Sequence, residues 1–303
     1  MGKIAVIGST NIDLITYGTR LPLQGETFEA EHFKITNGGK GANQAIAARK
    51  LGSDVLMVSK VGNDIFADNC LRNYKKYGVD TSYVNQVTDV PTGVAPIFVN
   101  TQTSQNSILI IKGANNYLLP EDIIDAQDAL KTVDIIVLQL EIPLETVYYA
   151  IDFAQQNNIK IILNPAPALE SLSLDYICKV DYLIPNETEL SILTGMPVDS
   201  TDDINFAANK LFDKGLNNLI VTLGSKGNLW LSKNNNIFTQ ANKVNAIDTS
   251  GAGDAFIGSF AHYLSETNDT LLSITKASLY ASISVTKEGT QSSYPHKYEF
   301  EII

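Results

Sequence analysis

The stretch that decides the fold is DIIVLQLEIPLETVYYAIDFAQQNNIKIILNP, residues 134–165. It opens with an apolar run at 134–141, which predicts a buried strand. Residues 144–157 then show helical spacing behind Pro143, a residue type favoured at the entrance of a helix. The second apolar run, IKIILNP, predicts another strand. The stretch therefore indicates a strand–helix–strand unit with parallel strands.

The same alternation extends along the rest of the chain. Further apolar runs predict strands at residues 3–8, 55–62, 181–186 and 218–224, and helical spacing predicts helices at 65–77, 187–195 and 203–215. Because the runs are apolar along nearly their whole length, both faces of the sheet should be covered. The sequence therefore predicts an α/β fold with a parallel sheet and helices on both faces.

Two stretches interrupt this alternation. Residues 13–36 contain alternating strand-like sequence broken by Gly and Pro, and residues 91–112 are typical of a hairpin with a polar turn. Four or five antiparallel strands left out of the main sheet would form a small second sheet. Open α/β sheets bind ligands at the carboxyl ends of their strands, so a flap over that edge is expected. A plain edge hairpin is the alternative.

Composition excludes several classes of protein. The chain has 303 residues with 22 Lys and Arg against 33 Asp and Glu, a net charge of −11. Such acidity argues against a nucleic-acid partner and against binding to an anionic membrane surface. No apolar run approaches the ~18 residues of a membrane span. Cys70 and Cys178 form no CxxC motif, so we expect buried free thiols in a reducing compartment and a cytoplasmic protein.

Several common catalytic patterns are missing from the sequence. The three histidines are isolated from one another, which disfavours a histidine metal cage or a Ser-His-Asp triad. There is no Walker-type phosphate loop, and the first strand is not followed by G-x-G-x-x-G. A dinucleotide-dependent oxidoreductase is therefore disfavoured.

Two glycine-rich segments are the strongest positive signals. In NGGKGANQA, residues 37–45, the glycines around Lys40 let the backbone approach a ligand at the start of a helix, and Asn43 could present its amide to a hydroxyl. In DTSGAGDAFIGSF, residues 248–260, the backbone N–H groups before Asp254 would form an anion hole, and Asp254 would serve as a base. The alternatives are a structural helix entry and an N-cap role for Asp254, although Ser250 or Thr249 could cap instead.

Weaker signals lie at the ends of other predicted strands. Asn186 and Glu189 suit hydrated Mg²⁺ and phosphate, with a capping pair as the alternative. The turn in VTLGSKG, residues 221–227, could hold phosphate or be a simple β-turn. Asp13 and Glu141 both lie at the ends of predicted strands, and two carboxylates at such a place are suited to bind hydroxyl groups.

Taken in order, these motifs resemble the ribokinase branch of the PfkB-type sugar kinases, from GSTNID near the N-terminus to GTQSSYP near the C-terminus. The resemblance implies a Rossmann-like core with a β-sheet lid that often clasps the lid of a second subunit, hence a homodimer. Residues 1–12, 37–90 and 113–303 would form the core with the ATP and catalytic sites. Residues 13–36 and 91–112 would form the lid over the sugar site.

The resemblance also implies transfer of the γ-phosphoryl group of ATP to the 5-hydroxyl of a pentose. Asp254 would take the proton from that hydroxyl, and Gly251, Ala252 and Gly253 would stabilise the moving phosphoryl group. The sugar would be held by Asp13, Gly39, Lys40, Asn43 and Glu141. Asn186 and Glu189 would bind the phosphates and hydrated Mg²⁺. The nucleotide would be bound by Thr222, Gly224 and Gly227. An activating K⁺ would lie at Asp248, Ser250, Ser284, Lys287, Gly289 and Ser293.

The identity of the sugar rests on Asn11. Its side-chain amide, beside Asp13, could bond the 2-hydroxyl of ribose, and a site built for that hydroxyl should reject the deoxy sugar. We therefore expect a ribokinase. Stretches such as GVAPIFVN and ILTGMPVD resemble the deoxyribokinases, so 2-deoxyribose is the alternative, as is the substrate of another sugar or nucleoside kinase. A non-catalytic sugar sensor is disfavoured because Asp254 and its flanking glycines are intact.

Overall fold

A computed structural model describes residues 2–103 and 105–300. Thirteen strands and ten α-helices are defined within these residues. In chain order the strands are β1 (Lys3–Ile7), β2 (Asn11–Gly18), β3 (His32–Gly38), β4 (Asp54–Gly62), β5 (Asp80–Val87), β6 (Gly93–Asn100), β7 (Asn106–Ile108), β8 (Ile135–Leu138), β9 (Lys160–Leu163), β10 (Tyr182–Leu183), β11 (Asn218–Thr222), β12 (Gly227–Ser232) and β13 (Asn236–Gln240). The α-helices are α1 (Lys40–Leu51), α2 (Ile65–Tyr77), α3 (Pro120–Leu130), α4 (Leu144–Gln156), α5 (Leu174–Ile177), α6 (Glu187–Thr194), α7 (Thr201–Phe212), α8 (Ala252–Thr267), α9 (Thr270–Ser284) and α10 (Lys297–Phe300).

The main sheet has nine strands in the order β13-β12-β11-β10-β9-β8-β1-β4-β5. The strands from β11 to β5 are paired in parallel, and β12 and β13 are added antiparallel at one edge. The direction in which successive strands are added to the sheet reverses at β1, which lies between β4 on one side and β8 on the other. In sheets of this kind, ligands bind outside the carboxyl ends of the strands near such a reversal.

Side chains that alternate along the strands pack into two separate hydrophobic cores. In β1, Ala5 and Ile7 pack with helices α3, α4, α6 and α7, whereas Ile4 and Val6 pack with α1, α8 and α9. Successive side chains of a strand point to opposite faces, so the two cores lie on opposite faces of the sheet. The predicted α/β fold, a parallel sheet with helices on both faces, is confirmed.

The small sheet consists of β3, β2, β6 and β7 in that order. β2–β3 and β6–β7 are antiparallel, but β2 and β6 are parallel, so the prediction of an entirely antiparallel sheet was wrong. The reason lies in the connections. β2 continues directly from β1, and β6 follows β5. Because β1 and β5 belong to the same parallel sheet, the chain leaves both strands at the same edge and in the same direction, and β2 and β6 therefore run parallel. One face of the small sheet exposes large apolar side chains, including Phe33 at 55% and Ile35 at 49%.

Element boundaries follow local capping. Helix α2 has the predicted bounds because Asp64 accepts a hydrogen bond from the N–H of Ala67 and Gly78 ends the helix at φ 75°. Helix α7 begins at Thr201, two residues before the predicted start, because Ser200 caps it. Cys70 and Cys178 are buried free thiols. Within residues 2–103 and 105–300, no helix has the length and apolarity needed to cross a membrane.

Candidate active site

The first turns of α1 and α8 meet at the carboxyl edge of the main sheet, and Asp254 lies between them. It is 7% exposed. Its Oδ2 accepts from Asn43 Nδ2 at 2.9 Å, and its Oδ1 accepts from Gln44 Nε2 at 2.9 Å. Burial raises the pKa of Asp254, while Lys40 and the two amide donors act in the opposite direction. A desolvated carboxylate with directed donors on both oxygens is suited to accept a proton from a ligand.

The start of α8 is built differently from the prediction. The helix begins at Ala252, two residues before Asp254, and its N-cap is Gly251 with φ 72° and no side-chain cap. Ser250 and Thr249 therefore do not cap it, although the carbonyl of Thr249 accepts from the N–H of Ala252 at 3.3 Å. The left-handed backbone at Gly251 turns the chain directly into the helix. The N–H groups of this first turn lie at the positive end of the helix dipole.

Gly251 is also closely surrounded. A Cβ at this position would overlap the methyl group of Thr290 and lie 2.7 Å from the hydroxyl of Tyr294. That hydroxyl donates to the carbonyl of Gly251 at 2.9 Å. By contrast, a Cβ on Gly253 would meet no atom within 4 Å, so this side of the turn is open to a ligand.

The carboxylate of Glu141 fixes the position of the loop that precedes α1 through hydrogen bonds. It follows the end of β8 by three residues, so it does not end the strand as predicted. Its Oε2 accepts from Ser9 Oγ at 2.5 Å and from the backbone N–H of Lys40 at 3.0 Å. Gly39 has φ 89°, and a Cβ there would lie 2.8 Å from the backbone nitrogen of Asn11. The close packing of this loop therefore needs glycine.

Asp13 on β2 completes a cluster of three carboxylates with Glu141 and Asp254. Burial, and then the charges of Glu141 and Asp254, raise its pKa from 3.8 to about 7. Its carboxylate makes no hydrogen bond to the described residues, and a Cβ on Gly38 would overlap it. Burial lowers the pKa of Lys40, but Asp254, Glu141 and Glu189 outweigh this and raise it. Carboxylates that keep free acceptor positions around one ammonium group are suited to bind the hydroxyls of a polyol.

We expect Asp13→Asn to raise the free energy of unfolding of the ligand-free protein at pH 8. The folded state holds the Asp13 proton up to about pH 7, while the unfolded chain releases it near 3.8, so this group makes folding less favourable as pH rises between those values. The gain should be about 1 kcal/mol or more at pH 8, since one pKa unit corresponds to about 1.4 kcal/mol. It should shrink at pH 5. Urea unfolding at the two pH values measures it, and a gain independent of pH would contradict the assignment.

Asn11, at the start of β2, is 3% exposed. Its Oδ1 accepts from Asn115 Nδ2 at 2.7 Å, and Asn115 is itself oriented because its Oδ1 accepts from the N–H of Thr10 at 2.9 Å. The donor end of the Asn11 amide makes no hydrogen bond within residues 2–103 and 105–300. This nitrogen is not one of the fully buried unpaired polar atoms of the described residues, so it stays accessible and can donate to a ligand acceptor.

Asn186 and Glu189 form the reciprocal capping pair that was the alternative interpretation. Asn186 Oδ1 accepts from the N–H of Glu189 at 2.8 Å, and Glu189 Oε2 accepts from the N–H of Asn186 at 2.8 Å. Burial raises the pKa of Glu189, and Lys40 opposes this. The second oxygen of Glu189 makes no hydrogen bond to the described residues, so a hydrated Mg²⁺ fits beside it. No group of three or more His, Cys, Asp or Glu in the described part of the chain could hold a metal alone.

The residues predicted for the nucleotide lie beside this pair. Thr222 ends β11 and forms a parallel bridge with Asn186. Gly224 opens a short 3₁₀ turn at φ 56°, and Gly227 begins β12 at φ 129°. A Cβ on Gly227 would overlap the carbonyl of Thr239, so this glycine is needed for packing as well.

The residues predicted for a monovalent cation form one loop cluster next to Gly251. Asp248 accepts from the N–H groups of Ser250 and Gly289 at 2.9 Å each. Although burial opposes it, these bonds hold the pKa of Asp248 below its ordinary value. The hydroxyls of Ser284 and Ser293 donate to carbonyls of their own turns, which leaves their oxygens free to accept. The ammonium of Lys287 lies 3.7 Å from Glu299, so only its backbone could face a cation. An oxygen-rich cluster of this kind fits K⁺.

Reasoning from the sequence missed four residues of this site: Gln44, Asn115, Gln291 and Tyr294. Gln44 follows Asn43 in the quoted motif, and two consecutive residues at a helix start could have been considered together. Gln291 donates to Asn43 Oδ1 at 2.9 Å from a loop near the C-terminus. Its position and that of Tyr294 depend on long-range packing, for which the sequence carries no local signal.

Comparison with known proteins gives consistent results. The model of the pfkB family of carbohydrate kinases matches residues 1–297. The chain is 59% identical over 297 residues to the deoxyribokinase of Salmonella typhimurium, covering 98% of this chain and 97% of that protein. It is 38% identical over 295 residues to the ribokinase of Staphylococcus aureus, covering 97% and 96%.

Two solved structures share the fold over the full chain. Ribokinase from Thermotoga maritima superposes with a TM-score of 0.89 at 37% identity, covering 100% of this chain and 99% of that one. Ribokinase from Arabidopsis thaliana, complexed with ribose and ATP, superposes with a TM-score of 0.93 at 31% identity, covering 100% and 98%. The predicted resemblance to the ribokinase and deoxyribokinase branch is confirmed.

Proposed function

Because the chain belongs to the pfkB family of carbohydrate kinases, a family of phosphotransferases with an alcohol acceptor, we propose that it transfers the γ-phosphoryl group of ATP to the 5-hydroxyl of a pentose. The observation that carries this proposal is Asp254, buried at the open start of α8 with amide donors on both oxygens. ADP release measured across a panel of pentoses, hexoses and nucleosides tests it. Turnover confined to hexoses or nucleosides would overturn it.

In the proposed reaction, Asp254 takes the proton of the sugar hydroxyl as the new phosphate ester forms. The N–H groups of Gly251, Ala252 and Gly253 donate to the oxygens of the transferred group, where one such donor is typically worth about 3 kcal/mol. Asp13, Gly39, Lys40, Asn43 and Glu141 hold the sugar in line. Phosphoryl transfer depends mainly on this positioning and charge stabilisation.

The phosphates of ATP would meet Lys40 and the residues at the ends of β10 and β11, which are Asn186, Glu189, Thr222, Gly224 and Gly227. When bound, Mg²⁺ would neutralise phosphate charge, with Glu189 holding its water shell. Residues 13–36 and 91–112 would cover the sugar as a lid and exclude water. The buried free thiols support a cytoplasmic location.

The geometry favours ribose as the sugar. The donor end of the Asn11 amide has no partner among the described residues, and the 2-hydroxyl of ribose would provide an acceptor for it. Bound 2-deoxyribose would leave that donor buried and unpaired. The 59% identity to a deoxyribokinase, against 38% to a ribokinase, favours 2-deoxyribose as the second candidate. The ratio of kcat/KM for the two sugars decides between them.

We expect Asn11→Leu to shift this ratio at least about 10-fold toward 2-deoxyribose, because leucine removes the Asn11 donor, while Asn115 Nδ2, which loses its bond to Asn11, keeps its bond to the carbonyl of Lys112 at 2.9 Å. The KM for ATP should stay unchanged and serves as the internal control, since Asn11 lies on the sugar side of the site. Equal losses of kcat/KM for both sugars would contradict the role of Asn11 at the 2-hydroxyl.

The cluster of Asp248, Ser250, Ser284, Lys287, Gly289 and Ser293 is proposed to bind K⁺. It adjoins Gly251 through Thr290 and Tyr294, so an occupied site would steady the start of α8. Activity should then be higher in potassium than in sodium or choline buffer. Equal rates in all three would remove K⁺ from the proposal.

We also propose a homodimer formed through the small sheet. Phe33 and Ile35 are alternate residues of β3, so they lie on one face of this sheet, and each is about half exposed. A contiguous apolar face of this kind is typical of a protein interface. Sedimentation of the wild type and of Ile35→Lys compares the association states, and an unchanged sedimentation profile would argue against this interface.

A further inference from the structure

Gln44 is buried directly behind the carboxylate of Asp254. It has no exposed surface, and its Nε2 donates to Asp254 Oδ1 at 2.9 Å and more weakly to Asn164 Oδ1 at 3.3 Å. Asn43 and Gln44 are consecutive residues of α1, about 100° apart around the helix axis. Their amides therefore approach the two oxygens of Asp254 from two directions.

The orientation of each amide is fixed by a further amide. The Oε1 of Gln44 accepts from Gln139 Nε2 at 2.7 Å, and Gln139 has no exposed surface. The Oδ1 of Asn43 accepts from Gln291 Nε2 at 2.9 Å. An amide has a donor end and an acceptor end of nearly the same shape, and only its partners decide which way it points. Gln291, which is itself oriented because its Oε1 accepts from Asn73 Nδ2 at 2.7 Å, therefore holds the donor end of Asn43 toward Asp254. Gln139 supports the donor end of Gln44 in the same sense, although the Oε1 of Gln139 has no hydrogen-bond partner among the described residues.

We propose that Gln44 is a positioning residue for the reaction, which holds the Asp254 carboxylate ionised and correctly turned toward the sugar, and that Gln139 acts through Gln44. This inference rests on the proposed role of Asp254 as the base. A carboxylate has about four acceptor positions, so the two amide donors leave room for the hydroxyl proton. Because both donors come from α1, the same helix that carries the sugar-binding loop aligns the base with the sugar.

The charged groups around Asp254 determine in which direction the pKa of its carboxylate is shifted, and thereby how kcat depends on pH. Lys40 from α1 favours the ionised form, whereas Glu141 after β8, Asp13 on β2 and Glu189 on α6 disfavour it. Tyr294 also lies within electrostatic reach, and its own pKa is raised by burial and by Asp254. The amide donors of Asn43 and Gln44 therefore act with Lys40 against burial and the neighbouring acids, which raise the pKa of Asp254.

The test measures kcat as a function of pH for Gln44→Met and Gln44→Glu. Methionine removes the donor, so kcat at pH 7 should fall about 10- to 100-fold, and the acid limb of the kcat profile should move to higher pH. Glutamate keeps an acceptor for Gln139, which preserves the fold, but it places a second acid beside Asp254. Its acid limb should move further than that of the methionine variant. The KM for ATP should stay within about twofold in both.

Ser53→Ala is the matched control. Ser53 Oγ lies 2.7 Å from His262 Nδ1, so this variant also removes a buried hydrogen bond between the α1 region and α8, but at the far ends of the two helices. It should lower the melting temperature without moving the acid limb. If the acid limb of both Gln44 variants stays at the wild-type pH, Gln44 is only structural and the inference is wrong. Asp254→Asn separates the two hypotheses, because undiminished turnover in that variant would overturn the base itself.

Discussion

Replacing Asp254 by asparagine is expected to lower kcat at least about 1,000-fold, with small changes in the KM for sugar and ATP. A positioned general base typically contributes 10²- to 10⁴-fold. Asparagine cannot take the proton. Its side-chain NH₂ group would also point at the N–H donor of Asn43 or Gln44, where the carboxylate of Asp254 presents an acceptor oxygen. Both effects act on the chemical step, so the loss should appear in kcat and not in binding.

The fold of this variant should be retained. Burial raises the pKa of Asp254, which means that the ionised carboxylate is held in an unfavourable environment, and its removal relieves that cost. This gain opposes the cost of the mismatched amide, so we expect a melting temperature close to that of the wild type. Asp269→Asn is the control, because Asp269 caps α9 and asparagine caps equally well. Turnover of Asp254→Asn near the control level would refute the assignment of the base.

Gly251→Ala is expected to displace the turn that starts α8 and to lower kcat strongly. Alanine would have to adopt φ 72° and place its Cβ against the methyl of Thr290 and the hydroxyl of Tyr294. The turn must then move, and with it the N–H groups of Ala252 and Gly253. Misplacing even one donor to the transferred group costs about 10²- to 10³-fold in kcat, so we expect a loss of at least that size.

Gly195→Ala separates backbone strain from the steric clash. Gly195 ends α6 at φ 68°, nearly the same conformation, but a Cβ there would meet nothing within 4 Å. This variant should lose about 1–2 kcal/mol of stability from left-handed strain and keep its kcat. A similar loss of activity in both variants would show that general destabilisation, and not the geometry of the α8 turn, explains the effect.

Local patterns were sufficient to predict the main elements of the fold. Apolar runs and helical spacing predicted the parallel sheet and its two helical layers, since these depend on periodicity and capping close in sequence. The pairing of β2 with β6 was predicted wrongly because strand direction depends on which strands precede each segment. The cap of α8 was predicted wrongly because Ser250 and Thr249 are residue types that commonly cap helices, whereas the structure uses Gly251 in the left-handed conformation.

The candidate site was recognisable only in part for a similar reason. Asp13, Asn43, Glu141 and Asp254 stand in motifs whose composition is unusual for a packed core, so their residue types alone drew attention. Gln139 and Gln291 look like ordinary polar residues in the sequence. Their importance appears only when strand β8 and the C-terminal loop are brought against α1, because an amide acquires an orientation only from its partners.

Asn11 is both the residue assigned to the sugar and the first residue of β2, where it pairs with Gly38 and Gly93. A Cβ on Gly93 would overlap the side chains of Asn11 and Asn115, so all three positions are sterically linked. Sugar preference and the joint of the small sheet therefore share the same atoms. A replacement at position 11 or 115 that alters sugar binding therefore also acts on the place where the small sheet joins the main sheet.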